Sequence, residues 1–260
     1  MTMTLTHYWR LVDQMARMSL KADASRYFFN YFWWVLEPLL YVAVFYVVFD
    51  VLLNSGRADF IVFLMCGKLS FVWFSKSVVH ASRSIRGGKG LISKVDLPKA
   101  LFPLATIQEC LYKQSAVFAL LFVFLLWNGY HITATWLWLI PLILVNYLLI
   151  VAASFIAAFL VCVAFDFAMV VSLAMVFLLF ASGIFWDVRS VSDPELMQAV
   201  LTLNPIAFLV DAYRQILMFA TPPNLMHLFL LGLFALLLAA GMLLVLRRTS
   251  QYLALKAITA

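Results

Sequence analysis

Residues 136–165 read WLWLIPLILVNYLLIVAASFIAAFLVCVAF, a stretch without one charged side chain. An apolar run of about 18 residues already marks a membrane-crossing helix, because the hydrocarbon layer offers no water to satisfy exposed backbone groups. The run is continuous rather than alternating, which excludes a strand of a transmembrane barrel. It is longer than one perpendicular crossing needs, and Pro141 inside it predicts a tilt or kink.

Similar runs lie at 32–53, 60–82, 102–128, 168–187 and 225–246, so the sequence predicts an all-α integral membrane protein with six spans in one transmembrane domain over 1–260. Composition agrees: 66% of residues are hydrophobic, 12% are charged and the mean hydropathy is +1.02. A soluble domain has roughly 45–50% apolar and about 25% charged residues, so that class is excluded. Arg10, Arg17, Lys21 and Arg26 precede the first run, but no cleavage site follows it, so it is expected to be retained. Cys66, Cys110 and Cys162 fall in apolar segments without metal-ligand spacing and read as buried thiols.

Basic residues set the orientation. Arg10, Arg17, Lys21, Arg26, Arg83, Arg86, Lys89, Lys94, Lys99, Arg247, Arg248 and Lys256 share one side, against Arg57, Arg189 and Arg214 on the other. Both termini, the 84–101 loop and the 247–260 tail are therefore expected in the cytoplasm. The positive-inside bias also accounts for the net charge of +6, so nothing calls for a nucleic-acid partner.

Residues 5–27 are expected to form an amphipathic helix lying on the cytoplasmic leaflet. Tyr8, Leu11, Val12, Met15, Met18 and Ala22 make its apolar face, and Arg10, Asp13, Gln14, Arg17, Lys21 and Ala24 fill the other. It is either a plain anchor or a docking surface. The loop RSIRGGKGLISKVDLPKALFP (83–103) lacks the phosphate-binding pattern of P-loop proteins, as does the rest of the chain, so no nucleotide hydrolysis is expected from this subunit. Leu91, Ile92, Ser93, Lys94 and Val95 are read as a short helix closed off by Pro98 and Pro103, a contact point for a cytoplasmic partner.

The segment NPIAFLVDAYRQIL (204–217) is too polar and too short to span. Asp193-Pro194 and Asn204-Pro205 each place a capping residue before a proline at the first helical position, predicting helices at 194–203 and 205–219. The expected arrangement is a re-entrant hairpin entering the outer leaflet as a gate, with Asn204, Pro205, Asp211, Tyr213 and Arg214 as its working residues. A pair of helices resting on the surface is the alternative, and Asp211 and Arg214, one turn apart, are candidates to pair with each other.

Ionisable residues inside spans are functional candidates. Glu37 and Lys76 lie at matching depth and are expected to pair, with His80 nearby. Lys68 lies deeper and either faces a pore or reaches toward Asp50. Trp34, Tyr41, Phe45 and Phe49 fall within an ~80° stripe at helical spacing, and Phe177, Phe180, Phe185 and Trp186 cluster near the fifth run. They are lipid-facing bulk or the lining of a channel. The scattered histidines and carboxylates suggest no catalytic constellation and no metal site.

Three stretches resemble one family. YFWWVLEPLL (31–40), LISKVDLPKALFPLATI (91–107) and NPIAFLVDAYRQIL (204–217) are similar, in that order and spacing, to the membrane subunits of ABC-2-type exporters for O-antigen, capsule and teichoic-acid polymers, the Wzm-like permeases. In the last stretch the acidic position holds Asp211 where the family pattern suggests Glu. The resemblance implies a homodimer with a channel between protomers, two cytoplasmic ATPase subunits that bind ATP and Mg, and a polysaccharide carried on undecaprenyl pyrophosphate. It makes Leu91–Val95 the coupling region, 194–219 the gate, and Trp34, Tyr41, Phe45, Phe49, Phe177 and Phe180 the channel lining. Arg26, Arg83 and Arg86 would meet the pyrophosphate at entry. This chain itself would need no cofactor. An ABC-2 permease for a drug, ion or other lipid is the nearest alternative; a secondary transporter is more remote.

Overall fold

The computed structural model describes residues 5–25, 32–52 and 59–259, and every regular element among them is helical. In chain order they are α1 (Leu5–Ala24), α2 (Trp33–Tyr46, running on into a π-helical turn Val47–Leu52), α3 (Phe60–Ser82), α4 (Ser84–Gly87), α5 (Lys89–Ile92), α6 (Leu101–Trp127), α7 (Leu139–Val163), α8 (Phe167–Ala181), α9 (Pro194–Leu203), α10 (Pro205–Leu217), α11 (Leu225–Arg248) and α12 (Ser250–Thr259). A short 3-10 turn, Ala134–Trp138, leads into α7, and a second, Val188–Ser190, precedes α9.

Helix α3 is the hub. It packs against α2, α6, α7, α8 and α10, while α11 lies along α7 and α1 runs beside α6. Among the described residues, four segments are long and apolar enough to cross a membrane: Phe60–Ser82, Leu101–Trp127, Ala134–Val163 and Leu225–Arg248. Helix α8 has 15 residues, which at about 1.5 Å each fall short of the ~30 Å hydrocarbon layer. The span expected there continues to 187, but the chain turns after Ala181. Gly183 adopts φ +68°, a left-handed conformation that a side chain would resist. Phe185 and Trp186 therefore belong to the turn, where Trp186 Nε1 donates to the Phe180 carbonyl at 2.9 Å.

Both proline-headed helices begin where the caps predict. The Asp193 carboxylate accepts from Glu195 N at 2.9 Å, and Asn204 Oδ1 accepts from Ile206 N and Ala207 N at 3.0 and 3.2 Å. The two helices are bent 103° apart. Helix α9 has no buried residue, whereas every residue of α10 from Ile206 to Leu217 is buried. Helix α10 is therefore sealed within the chain's own bundle, against α3 and α7; its polar side meets protein rather than an outer-leaflet surface.

At the opposite end, the short helix of the 83–103 loop spans Lys89–Ile92, two residues earlier than expected. Pro103 does not close it. It sits in the first turn of α6, where a missing N–H costs nothing. The tail 247–260 is not a plain extension either, since α12 packs on α4, α5 and α7 with Leu253 and Ala257 buried. Helix α1 buries Val12, Ala16 and Ala24 and exposes Met18. Ala24, placed on the polar face by the pattern, is thus buried, while Met18 of the apolar face is exposed. The reason is that α1 rests on α6, which supplies polar partners for its acidic residues.

Candidate functional site

Two polar clusters sit in this apolar bundle. The first surrounds α10. Asp211, 5% exposed, receives Arg189 in a two-point bridge, Nε to Oδ1 and Nη2 to Oδ2, both 2.9 Å. Gln215 Nε2, one turn along the helix, adds a third donor to Oδ2. Bidentate, charge-assisted bonds of this kind are the strong ones. The carboxylate in turn holds the Arg189 guanidinium above its ordinary pKa, against the effect of burial.

Arg214 does not pair with Asp211. Its Nε donates to the Phe63 carbonyl at 3.2 Å, Nη1 to Gly183 at 2.6 Å and Nη2 to Ile184 at 2.8 Å. Its guanidinium carbon lies 3.3 Å from the centre of the Phe63 ring. The planar fork thus ties α10 to α3 and to the turn after α8 in one move, something a point charge like lysine would not reproduce. Gly67 makes the room, because a Cβ there would stand 2.4 Å from Arg214 Nη2. Gly67→Ala is accordingly expected to lower stability by about 1–3 kcal/mol through overpacking. Thermal denaturation of the detergent-purified protein reads this out, and an unchanged transition would contradict the packing.

Asn204 works at both ends. While its Oδ1 caps α10, its Nδ2 donates to Ala181 O at 3.2 Å and Ser182 Oγ at 3.0 Å. Tyr213 is buried, with its ring 6.0 Å from Phe118 and its hydroxyl 3.4 Å from Asn146 Nδ2. Of the five residues read as a gate, Asp211, Tyr213 and Arg214 are buried in the bundle, while Asn204 and Pro205 are half-buried at its edge.

The second cluster lines a cavity of about 460 Å³ among α1, α2, α3 and α6. Its walls include Asp23, Trp34, Glu37, Lys76, His80 and Lys113. Lys76 Nζ meets Glu37 Oε2 at 2.6 Å, the partner that matching depth suggested. Lys113 bridges Asp23 at 2.6 Å and Glu109 at 2.8 Å, and lies 5.5 Å from the Trp34 ring centre. Alongside, the Tyr112 hydroxyl donates to Asp13, and this bond, aided by Arg17, holds the Asp13 carboxyl below its usual range. Sequence reasoning passed over Lys113, Glu109, Asp23 and Arg189. Glu109 and Lys113 carried a signal, an i, i+4 charge pair within an apolar run; Asp23 and Arg189 carried none, since their partners are distant in the chain.

Phe177 and Phe180 project from α8, at 70% and 56% exposure, onto the outer face of the chain. The side chains of Tyr41, Phe45, Phe49 and Asp50 lie outside the described residues, as does Arg26. Lys68 is buried in α3. Arg83 is exposed, whereas Arg86 donates to the Cys162 carbonyl at 3.3 Å and sits 5.4 Å from the Phe165 ring. In the 91–95 segment only Ile92 is buried, and Leu91, Ser93, Lys94 and Val95 face outward. The three cysteines are buried and unbridged.

Four apolar helices of crossing length, packed around sealed ionic groups, define a polytopic helical membrane protein. No family model matches the chain. It is similar to the O-antigen export system permease protein RfbA of Klebsiella pneumoniae, 24% identical over 223 residues that make up 84% of each chain. It is also similar to the protein of that name from Myxococcus xanthus, 26% identical over 214 residues, 82% of each chain. The likeness to O-antigen export permeases thus spans most of the sequence and agrees with the resemblance carried by its three motifs.

Proposed function

We propose that this chain is the membrane-spanning subunit of an ATP-driven exporter that moves a lipid-linked polysaccharide, of O-antigen type, across the inner membrane. The observation that carries this reading is the likeness to O-antigen export permeases over more than four fifths of the chain. On this reading α2 and α8 complete six crossings, two copies associate, and both termini lie in the cytoplasm with α1 at the membrane surface. The exposure of Phe177 and Phe180 supports a channel formed between protomers, because residues lining such a channel lie on the outside of a single chain. Helix α9, which buries no residue, closes its outward end, and the buried α10 holds it to the bundle. Of the arginines proposed to meet the pyrophosphate, Arg83 is exposed, whereas Arg86 serves chiefly as a brace between α4 and α7.

Two cytoplasmic ATPase subunits bind ATP and Mg and drive the cycle. The coupling contact is α5 with the residues just after it, where Ile92 anchors the segment and leaves Leu91 and Val95 outward for a partner. A stroke delivered there passes through α4 and α12 into α7, since these elements pack together.

Deleting the gene is expected to abolish surface polysaccharide and leave the lipid-linked polymer inside the cell. Leu91→Asp with Val95→Asp should reduce recovery of the ATPase with the affinity-purified chain at least tenfold, with the permease still present in membranes. Normal surface polysaccharide in the deletion strain would overturn the assignment.

A further inference from the structure

The cavity between α1, α2, α3 and α6 holds the chemistry of a sugar site. Lys76 and Lys113 face Glu37 and Asp23 across it, so the described charges that line it balance. Glu109 places one more carboxylate on Lys113. An anion such as phosphate would have to compete with these carboxylates for the ammonium groups. A neutral polyhydroxylated ligand meets no such cost: its hydroxyls donate to the carboxylates and accept from the ammonium groups. Trp33, Trp34 and Trp73 contribute indole surface to the walls, and Gln114 adds an amide. Indole faces suit the C–H-rich faces of sugar rings.

Packing gives no reason for these charges. Apolar residues of similar volume hold a bundle as well as ion pairs or better, and ionisable groups at membrane depth are costly. The pairs are also reachable: Lys76 and Glu37 are 39% and 44% exposed, Lys113 and Asp23 21% and 31%. A volume of about 460 Å³ lies within the roughly 300–1,000 Å³ of small-molecule sites. We infer that this cavity is a saccharide-binding subsite, in which Glu37 and Asp23 accept hydrogen bonds from sugar hydroxyls and Trp34 stacks on a ring. The inference rests on the permease reading above and deepens it by naming where the transported polymer is gripped.

The test places a photoreactive residue in the cavity wall, Val72→p-benzoylphenylalanine, in the full exporter within cells that make the polysaccharide. A second strain carries the same residue at Phe177 on α8. After irradiation the purified chain is analysed for covalently attached sugar, phosphate and fatty acid. A sugar-bearing adduct at position 72 is expected, and it should fall at least tenfold in Glu37→Gln combined with Asp23→Asn. Trp34→Ala should lose it to a similar degree, and Trp34→Phe should keep most of it. These variants must extract and sediment like the parent chain; a sugar adduct that persists in a normally folded double variant overturns the inference. So does an adduct at 72 carrying phosphate and fatty acid but no sugar, which makes the cavity a lipid-headgroup site. Sugar attached at 177 but not at 72 overturns the subsite and leaves the permease standing. Polysaccharide that reaches the surface without this chain overturns both.

Discussion

Arg214→Ala is expected to be among the most damaging single changes in the molecule, costing about 3–5 kcal/mol through lost hydrogen bonds and the cavity left behind. The truncation strips donors from the carbonyls of Phe63, Gly183 and Ile184 at once. Each buried acceptor left unsatisfied costs about 1–3 kcal/mol on its own. It also opens a void beneath the Phe63 ring. Arg214→Lys should recover little, because three carbonyls in three directions need the flat fork. In a protein whose whole stability is typically about 5–15 kcal/mol, this loss should show as depleted folded protein in the membrane and a transition about 10 °C lower in detergent. If Arg214→Ala accumulates and melts like the parent, the triple clasp contributes nothing. Combining it with Gly67→Ala should cost less than the sum, since the alanine methyl no longer meets a guanidinium.

The second large effect is an asymmetry across one ion pair. Arg189 is 52% exposed and Asp211 7% by side chain. When Asp211→Ala removes the carboxylate, the guanidinium turns to water, and the expected cost is about 1 kcal/mol, as for an exposed pair. When Arg189→Ala removes the guanidinium, a carboxylate stays inside the bundle with the Gln215 amide still donating to it. Its cost approaches the roughly 3–5 kcal/mol of an orphaned buried charge, reduced by the water that reaches this edge to about 2–3 kcal/mol. Arg189→Ala should therefore be worse than Asp211→Ala, and the double variant should be milder than Arg189→Ala alone. Equal costs for the two single changes in thermal denaturation would contradict the burial difference.

Much of the architecture was readable from the residues because it rests on local rules. Aspartate or asparagine ahead of proline fixes a helix start by geometry, and α9 and α10 begin accordingly. Long apolar runs leave few options in lipid. The depth of Glu37 and Lys76 follows from counting along two helices, so their meeting was legible too. The failures share one cause. Amphipathic pattern says that a face is polar, not what it faces. In α10 the polar side was expected to work a gate at the outer leaflet, and it is filled by Arg189, the 183–184 turn and the backbone of α3. Asp211 and Arg214 are one turn apart, yet each found a better partner from a segment that spacing cannot bring near. In α1, likewise, Asp13, placed on the polar face, is drawn to Tyr112 on α6. At α8 composition continued past 181 while the backbone did not, since hydropathy carries no information about a left-handed glycine.

One amide carries a mechanical corollary. Because Asn204 spends its oxygen on the start of α10 and its nitrogen on the last residues of α8, neither rod can slide along its own axis without unfastening the other. They must travel as a single strut. The 103° elbow beside that asparagine sets α9, with nothing buried, off the strut's axis.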